Sequence, residues 1–138
     1  MQMTEKWGNW NENLPDFYEE GSGVMNLNGQ QALDRMKSTS HPDSKLDFTI
    51  AYHPECKHCF HMVEDVKKLA SAVKDQKLNV NVMAINMSKS NKTQRKLLDV
   101  QYFPEIRLYT TGGKVIQYPS QTEKTFDKML EFLHKNGI

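Results

Sequence analysis

Hydrophobic and polar residues alternate along this chain with two different periods, and the switches between them mark out its elements. Phe48, Ile50 and Tyr52 interleave with Thr49 and Ala51, a pattern that predicts a mostly buried strand ended by His53-Pro54. Phe60, Val63, Val66, Leu69, Ala70 and Val73 recur at helical spacing, so one long amphipathic helix is predicted from about Cys56 to Asp75, with Glu64 and Lys68 paired on its polar side. In Leu78 to Met87, Val80, Val82 and Ala84 share one face and Met83 and Ile85 the other, which suits a parallel strand covered on both sides. Upstream, Val24 to Leu27 reads as a short strand. Asn28 caps a helix carrying Ala32, Leu33 and Met36, and Ser38 to Lys45 is a loop around His41-Pro42. Downstream come a short helix, Lys92 to Leu98, and a strand, Ile106 to Thr110, opened by Phe103-Pro104. A Gly112-Gly113 hairpin turn then leads into Lys114 to Tyr118. Ser120 and Glu123 read as a capping box for a last helix with Phe126, Met129, Leu130 and Leu133 on one stripe, closed by Gly137.

The resulting order, β-α-β-α-β-α-β-β-α, implies an α/β fold. Early βα alternation calls for parallel pairing and right-handed crossovers, and the glycine turn for an antiparallel pair at the end. The expected architecture is a central mixed sheet of four to five strands with helices on both faces.

Composition sharpens this picture at the N-terminus. The chain has 138 residues, the length of one domain. Its apolar content of 38% rises to about 43% with glycine, slightly below the globular norm. Residues 1–22 account for part of the shortfall. Glu5, Glu12, Asp16, Glu19 and Glu20 face only Lys6 there, yet Trp7, Trp10, Phe17 and Tyr18 are present. We therefore expect an acidic aromatic N-terminal arm over residues 1–22, hinged at Gly21-Ser22-Gly23, and one domain over residues 23–138. The arm is either solvated or docked on the domain or on a partner. A net charge of +1 argues against nucleic acid as a partner, and no apolar run is long enough to span a membrane.

Two cysteines are too few for a disulfide framework and cannot alone complete a zinc site, but they can form one redox pair. They lie in Cys56-Lys57-His58-Cys59, where the buried strand gives way to the amphipathic helix. A helix N-terminus favours the thiolate of Cys56, and Cys59 sits one turn further along on the same face. Lys57 and His58 add positive charge that tunes the thiol pKa, and Glu55 opposes it. A metal site built from His53, Cys56, Cys59 and His61 is an alternative, although a helix turns His58 away from the cysteines. His41 and His134 are expected at the surface.

The run Phe48–Tyr52, His53-Pro54-Glu55-Cys56-Lys57-His58-Cys59 and a following helix resembles the active site of the thioredoxin superfamily. Its x-Pro-x-Cys-x-His-Cys pattern is similar to the catalytic domains of protein disulfide isomerases. Val100-Gln101-Tyr102-Phe103-Pro104-Glu105-Ile106 resembles the family's cis-proline loop. Tyr109-Thr110-Thr111-Gly112-Gly113-Lys114 with Tyr118 resembles its final hairpin, and the likeness runs over about residues 24–136. The resemblance implies a thioredoxin-like fold, Cys56 as the attacking thiol, Cys59 as the resolving thiol and a cis bond before Pro104. It also implies that Phe103 and Pro104, with Pro54 and Glu55, line the substrate path, that His58 makes the pair more oxidising than thioredoxin, and that no cofactor is needed. The chain departs from the family pattern at Glu55 (Trp), Ile50 (a buried acid), Phe60 (Lys), Glu64 (Pro) and Gln101 (Arg). Without the buried acid, deprotonation of Cys59 is expected to be slow near neutral pH.

The expected function is thiol–disulfide exchange on protein or peptide disulfides, with a reductase or a larger assembly as further partners through residues 1–22. A thioredoxin-fold subunit of an assembly with an idle or regulatory cysteine pair is the alternative, and a metal-binding protein the third. The start at Met1 and the lack of a leader point to the cytoplasm. The Cys-x-His-Cys chemistry points to an oxidising compartment, although Lys135-Asn136-Gly137-Ile138 carries no retention signal.

Overall fold

The computed structural model describes residues 13–38, 45–110 and 112–138. The His41-Pro42 loop, Trp7 and Trp10 lie outside them. Strands β1 (Met25–Leu27), β2 (Leu46–Tyr52), β3 (Val80–Asn86), β4 (Glu105–Tyr109) and β5 (Val115–Gln117) form one sheet in the order β1-β3-β2-β4-β5. β2 pairs in parallel with β3 from Leu46↔Val80 to Tyr52↔Asn86, and antiparallel with β4 from Asp47↔Tyr109 to Ala51↔Glu105. The expected α/β fold with a mixed sheet is thus the observed one, with five strands.

Helices α1 (Gly29–Ser38) and α4 (Lys92–Leu98) pack together, as do α3 (Val63–Asp75) and α5 (Phe126–Lys135). The alternation along β2 assigns each pair a face. Phe48 lies 6.0 Å from the Phe132 ring of α5, while Asp47, one residue earlier, takes the Arg35 guanidinium of α1 at 2.9 Å. Phe48 and Ile50 are wholly buried, as are Ala84 beside Ile50 on β3 and Leu108 opposite Phe48 on β4. Each fully buried large side chain contributes about 1.5–3 kcal/mol. No described helix is long and apolar enough to cross a membrane.

Two expectations are corrected. The long helix is broken: α2 (Lys57–His61) ends at Met62, whose backbone sits at φ −93, ψ 0, and α3 restarts with Val66 N–H donating to Met62 O at 2.9 Å. No proline is involved. Met62 is buried, whereas Phe60 and His61 before it stay exposed. The last helix starts at Phe126 under a Thr125 cap that accepts Lys128 N–H, and Ser120–Glu123 is no capping box. The buried Tyr118 donates its hydroxyl to Glu123 O, which holds the intervening residues as a loop, and Thr122 N–H turns back to Pro119 O. The Asn28 cap is present, reinforced by Gln31 in a reciprocal pair.

The described part of the N-terminal arm lies against the domain. Asn86 donates to Leu14 O and to Asp16 Oδ1, both at 2.9 Å, and Leu14 N–H donates to Ser88 Oγ. Phe17 N–H donates to the Tyr52 hydroxyl at 3.0 Å, and the two rings stack 4.8 Å apart. Tyr18 meets Tyr52 edge-on and is 2% exposed. Gly23 then turns the chain at φ +88, where a side chain would also press on Ala70. The strap is therefore part of the core. Truncation of Tyr18 to alanine is expected to cost about 3–5 kcal/mol, read as a lower urea midpoint at unchanged m-value.

Candidate active site

Strand β2 ends at Tyr52, and the chain turns through His53-Pro54-Glu55 into α2. Cys56 N–H donates to His53 O at 2.9 Å, which closes the turn. Cys56 is the N-cap of α2, with an extended backbone (φ −83, ψ 116), and its sulfur accepts Cys59 N–H at 3.2 Å. The first turn of a helix leaves N–H groups without intrahelical partners, and an oxygen side chain usually takes one of them. Here a sulfur does so, and an acceptor at that place gains most when it is negative.

Two coupled thiols a turn apart do not titrate alike. Cys56 is held down to about 7, from an ordinary 9.0, chiefly because the Cys59 thiol donates to it; burial opposes this, and the N–H groups of Cys59 and His58 add to it. Cys59 is pushed far up, first by burial and then by the hydrogen bond and charge of Cys56. The first proton therefore leaves Cys56. Both cysteines are buried and neither is in a disulfide.

The side chains of Lys57 and His58 are exposed, and His58 also reaches the Cys56 sulfur through its backbone. Glu55 is exposed and Pro54 half-buried. His53 is buried, accepts Glu55 N–H at its Nδ1 and lies 5.9 Å from the Phe103 ring. The Phe103–Pro104 bond is cis. Phe103, Pro104, Tyr102 and His58 share a hollow of about 280 Å³ with Ser120 and Lys124. The strand-helix junction and the proline loop thus meet. Among the described residues no three His, Cys, Asp or Glu side chains gather as a metal site, and His53, Cys56, Cys59 and His61 are not brought together as one.

Two features of the site went unread in the sequence. Glu105, directly after Pro104, is 4% exposed and is gripped by Arg107 through both carboxylate oxygens at 2.9 and 3.0 Å. Glu105 also accepts Gln101 N–H, and Arg107 donates to Leu98 O at the end of α4. This pair ties the loop before Pro104 to both β4 and α4. Residues two apart on a strand share a face, so Glu-x-Arg in the β4 sequence was the available signal. The second feature is an aromatic wall beside Cys59: Phe60, 63% exposed, stands edge-on to Phe17, which stacks on Tyr52.

Iodoacetamide alkylation of Cys56 is expected to follow its thiolate, falling about tenfold per pH unit below 7 and levelling off well below the pH of an ordinary thiol. Glu105→Ala, which strands the Arg107 charge, is expected to cost about 3–5 kcal/mol in a denaturant titration, and Glu105→Gln less.

A thioredoxin family model matches residues 30–135. The chain is 30% identical over 123 residues to a protein disulfide-isomerase of Ricinus communis, covering 86% of this chain and 23% of the relative. It is 34% identical over 82 residues to protein disulfide isomerase-like 1-1 of Arabidopsis thaliana, covering 54% and 15%. It thus spans less than a quarter of either relative's length. Its fold is similar to that of the first thioredoxin domain of mouse protein disulfide-isomerase A4 (TM-score 0.66, 20% identity, 93% of this chain and 84% of that one). It is also similar to that of thioredoxin f from spinach chloroplast (TM-score 0.63, 20% identity, 85% and 88%). The family match over most of the chain, with the cysteine pair at the head of α2, establishes that the chain belongs to the thioredoxin family.

Proposed function

We propose that this domain exchanges thiols and disulfides with protein or peptide substrates. The observation that carries the reading is the Cys56 sulfur capping α2 and accepting the Cys59 thiol and N–H, which hold its pKa down while burial and Cys56 hold that of Cys59 up. The Cys56 thiolate attacks one sulfur of a substrate disulfide; that S–S bond breaks, and the departing thiolate takes up a proton. Cys59 then loses its proton and attacks Cys56, the mixed disulfide breaks, and the second substrate thiol leaves. The substrate gains two electrons and two protons, and the domain is left with a Cys56–Cys59 disulfide. The reverse sequence oxidises a dithiol.

Lys57 carries positive charge next to Cys56 in the chain, and the His58 backbone N–H reaches the Cys56 sulfur. The backbone of Phe103, with Pro54, Glu55 and Pro104 around it, borders the path of an extended substrate. Since Cys56 is buried, the side chains over its sulfur must give way when a substrate disulfide approaches.

The second step is the slower one. The position six residues before Cys56 holds Ile50, wholly buried, which can take no proton from Cys59, and burial holds that thiol protonated. Insulin reduction is expected in the wild type and not in Cys56→Ser, and Cys59→Ser is expected to accumulate a substrate mixed disulfide. In stopped-flow traces, the rate of mixed-disulfide formation should level off above pH 8, whereas its resolution keeps rising with pH. Wild-type protein that reduces no disulfide at any pH, yet stays within an assembly, would favour the idle-pair subunit.

A further inference from the structure

We infer that Lys124 makes the hollow beside Phe103-Pro104 a subsite for a carboxylate side chain of the protein substrate, two residues from the cysteine under attack. The inference rests on the exchange activity proposed above and names the substrates it favours.

The hollow, about 280 Å³, is bordered by His58 of α2, by Tyr102, Phe103 and Pro104, and by Ser120 and Lys124 from the connection between β5 and α5. Its polar groups are an ammonium, an imidazole and two hydroxyls, and none of its lining side chains is a carboxylate. Glu55 and Glu123 are close in sequence to the site but do not line it, and the contact that anchors Glu123 is made by its carbonyl with Tyr118.

Four of the described lysines are held in ion pairs. Lys67 pairs with Glu19 and Glu64, Lys89 with Asp16, and Lys128 and Lys135 with Glu131. Among the described residues Lys124 meets only the Ser120 carbonyl, at 3.5 Å, and no carboxylate within ion-pair distance. A cation with no carboxylate partner among the described residues therefore borders the hollow beside Phe103-Pro104. A carboxylate there gains a charged partner without displacing an existing one.

The geometry selects a position in the substrate. In an extended chain, side chains two residues apart point to the same face and lie about 7 Å apart. With the substrate sulfur turned toward Cys56, the residue two positions away also turns toward the domain. His58, in the helix that Cys56 caps, lines this hollow. A neighbouring carboxylate would otherwise disfavour approach to the Cys56 thiolate by like-charge repulsion. A cation across the hollow reverses that sign.

The test uses end-blocked peptides, each closed by one disulfide and carrying Glu, Gln or Lys two residues from the attacked cysteine. They are reduced by the full chain and by its Lys124→Ala and Lys124→Glu variants, and kcat/KM is read as a ratio within each protein. Such ratios cancel differences in folded fraction, and comparing proteins cancels the peptide's own effect on its thiol. The wild type is expected to favour Glu over Gln about two- to fivefold at low salt, and Glu over Lys by more. The preference should shrink at high salt, vanish in Lys124→Ala and reverse in Lys124→Glu. Equal ratios in wild type and Lys124→Glu would overturn this assignment and leave the exchange activity standing. Reduction of no peptide by the wild type would overturn the exchange reading, and the subsite with it.

Discussion

The double pairing of β2 is the constraint from which the rest of the molecule follows. Seven of its residues are in register with β3 on one side and five with β4 on the other, so its position cannot slip without unmaking both ladders. Since side chains on a strand alternate, that register also decides which helices cover which face. It sends Phe48 and Ile50 to the α3/α5 layer and Asp47 to Arg35 of α1. It ends at Tyr52, which gives the N-terminal strap its anchor and leaves only the His53-Pro54-Glu55 turn before Cys56. The antiparallel partner β4 brings Pro104 to the same end of the sheet from the opposite direction. The two halves of the redox site are thus consequences of one strand's neighbours.

Most of this frame was legible before any coordinates. Period-two alternation revealed β2 and β3, and helical spacing revealed the apolar stripes of α3 and α5. The position of Cys56-Lys57-His58-Cys59 at the change of period identified the site, and the likeness around Pro104 supplied its opposing wall. The illegible parts share a physical cause, a local rule overridden by a distant contact. Ser120 and Glu123 have the spacing of a capping box, but the Tyr118 hydroxyl holds Glu123 O in a loop and Thr125 takes the cap. Phe60 to Val73 reads as one helix because its apolar period is unbroken, yet the backbone leaves helical geometry at the buried Met62. Phe17 and Tyr18 look like tail residues until Tyr52 is placed beneath them.

The buried polar groups show the same logic at higher cost. Asp47 and Glu105 are almost fully enclosed carboxylates, and each is answered by an arginine and by at least one further donor. An isolated carboxylate in either place would be protonated or would unfold its surroundings. Satisfied, they fix geometry: Asp47 fastens α1 to the sheet, and Glu105 fastens the loop that carries Pro104. Ile50 is the contrasting position. An apolar side chain there packs without cost, and the proton traffic of Cys59 receives no help from it.

The sulfur cap on α2 carries a consequence of its own. α2 has only five residues and is separated from α3 by the break at Met62, so its first turn is a large part of its stability. That turn is held by a sulfur that is negative when Cys56 is the thiolate of the reduced pair and neutral once joined to Cys59. Taking up electrons therefore tightens the head of the helix, and giving them up loosens it. By thermodynamic reciprocity, whatever steadies this short helix more in the dithiol than in the disulfide form also raises the domain's affinity for electrons. The reduction potential is in this sense a property of five residues of backbone as well as of two thiols.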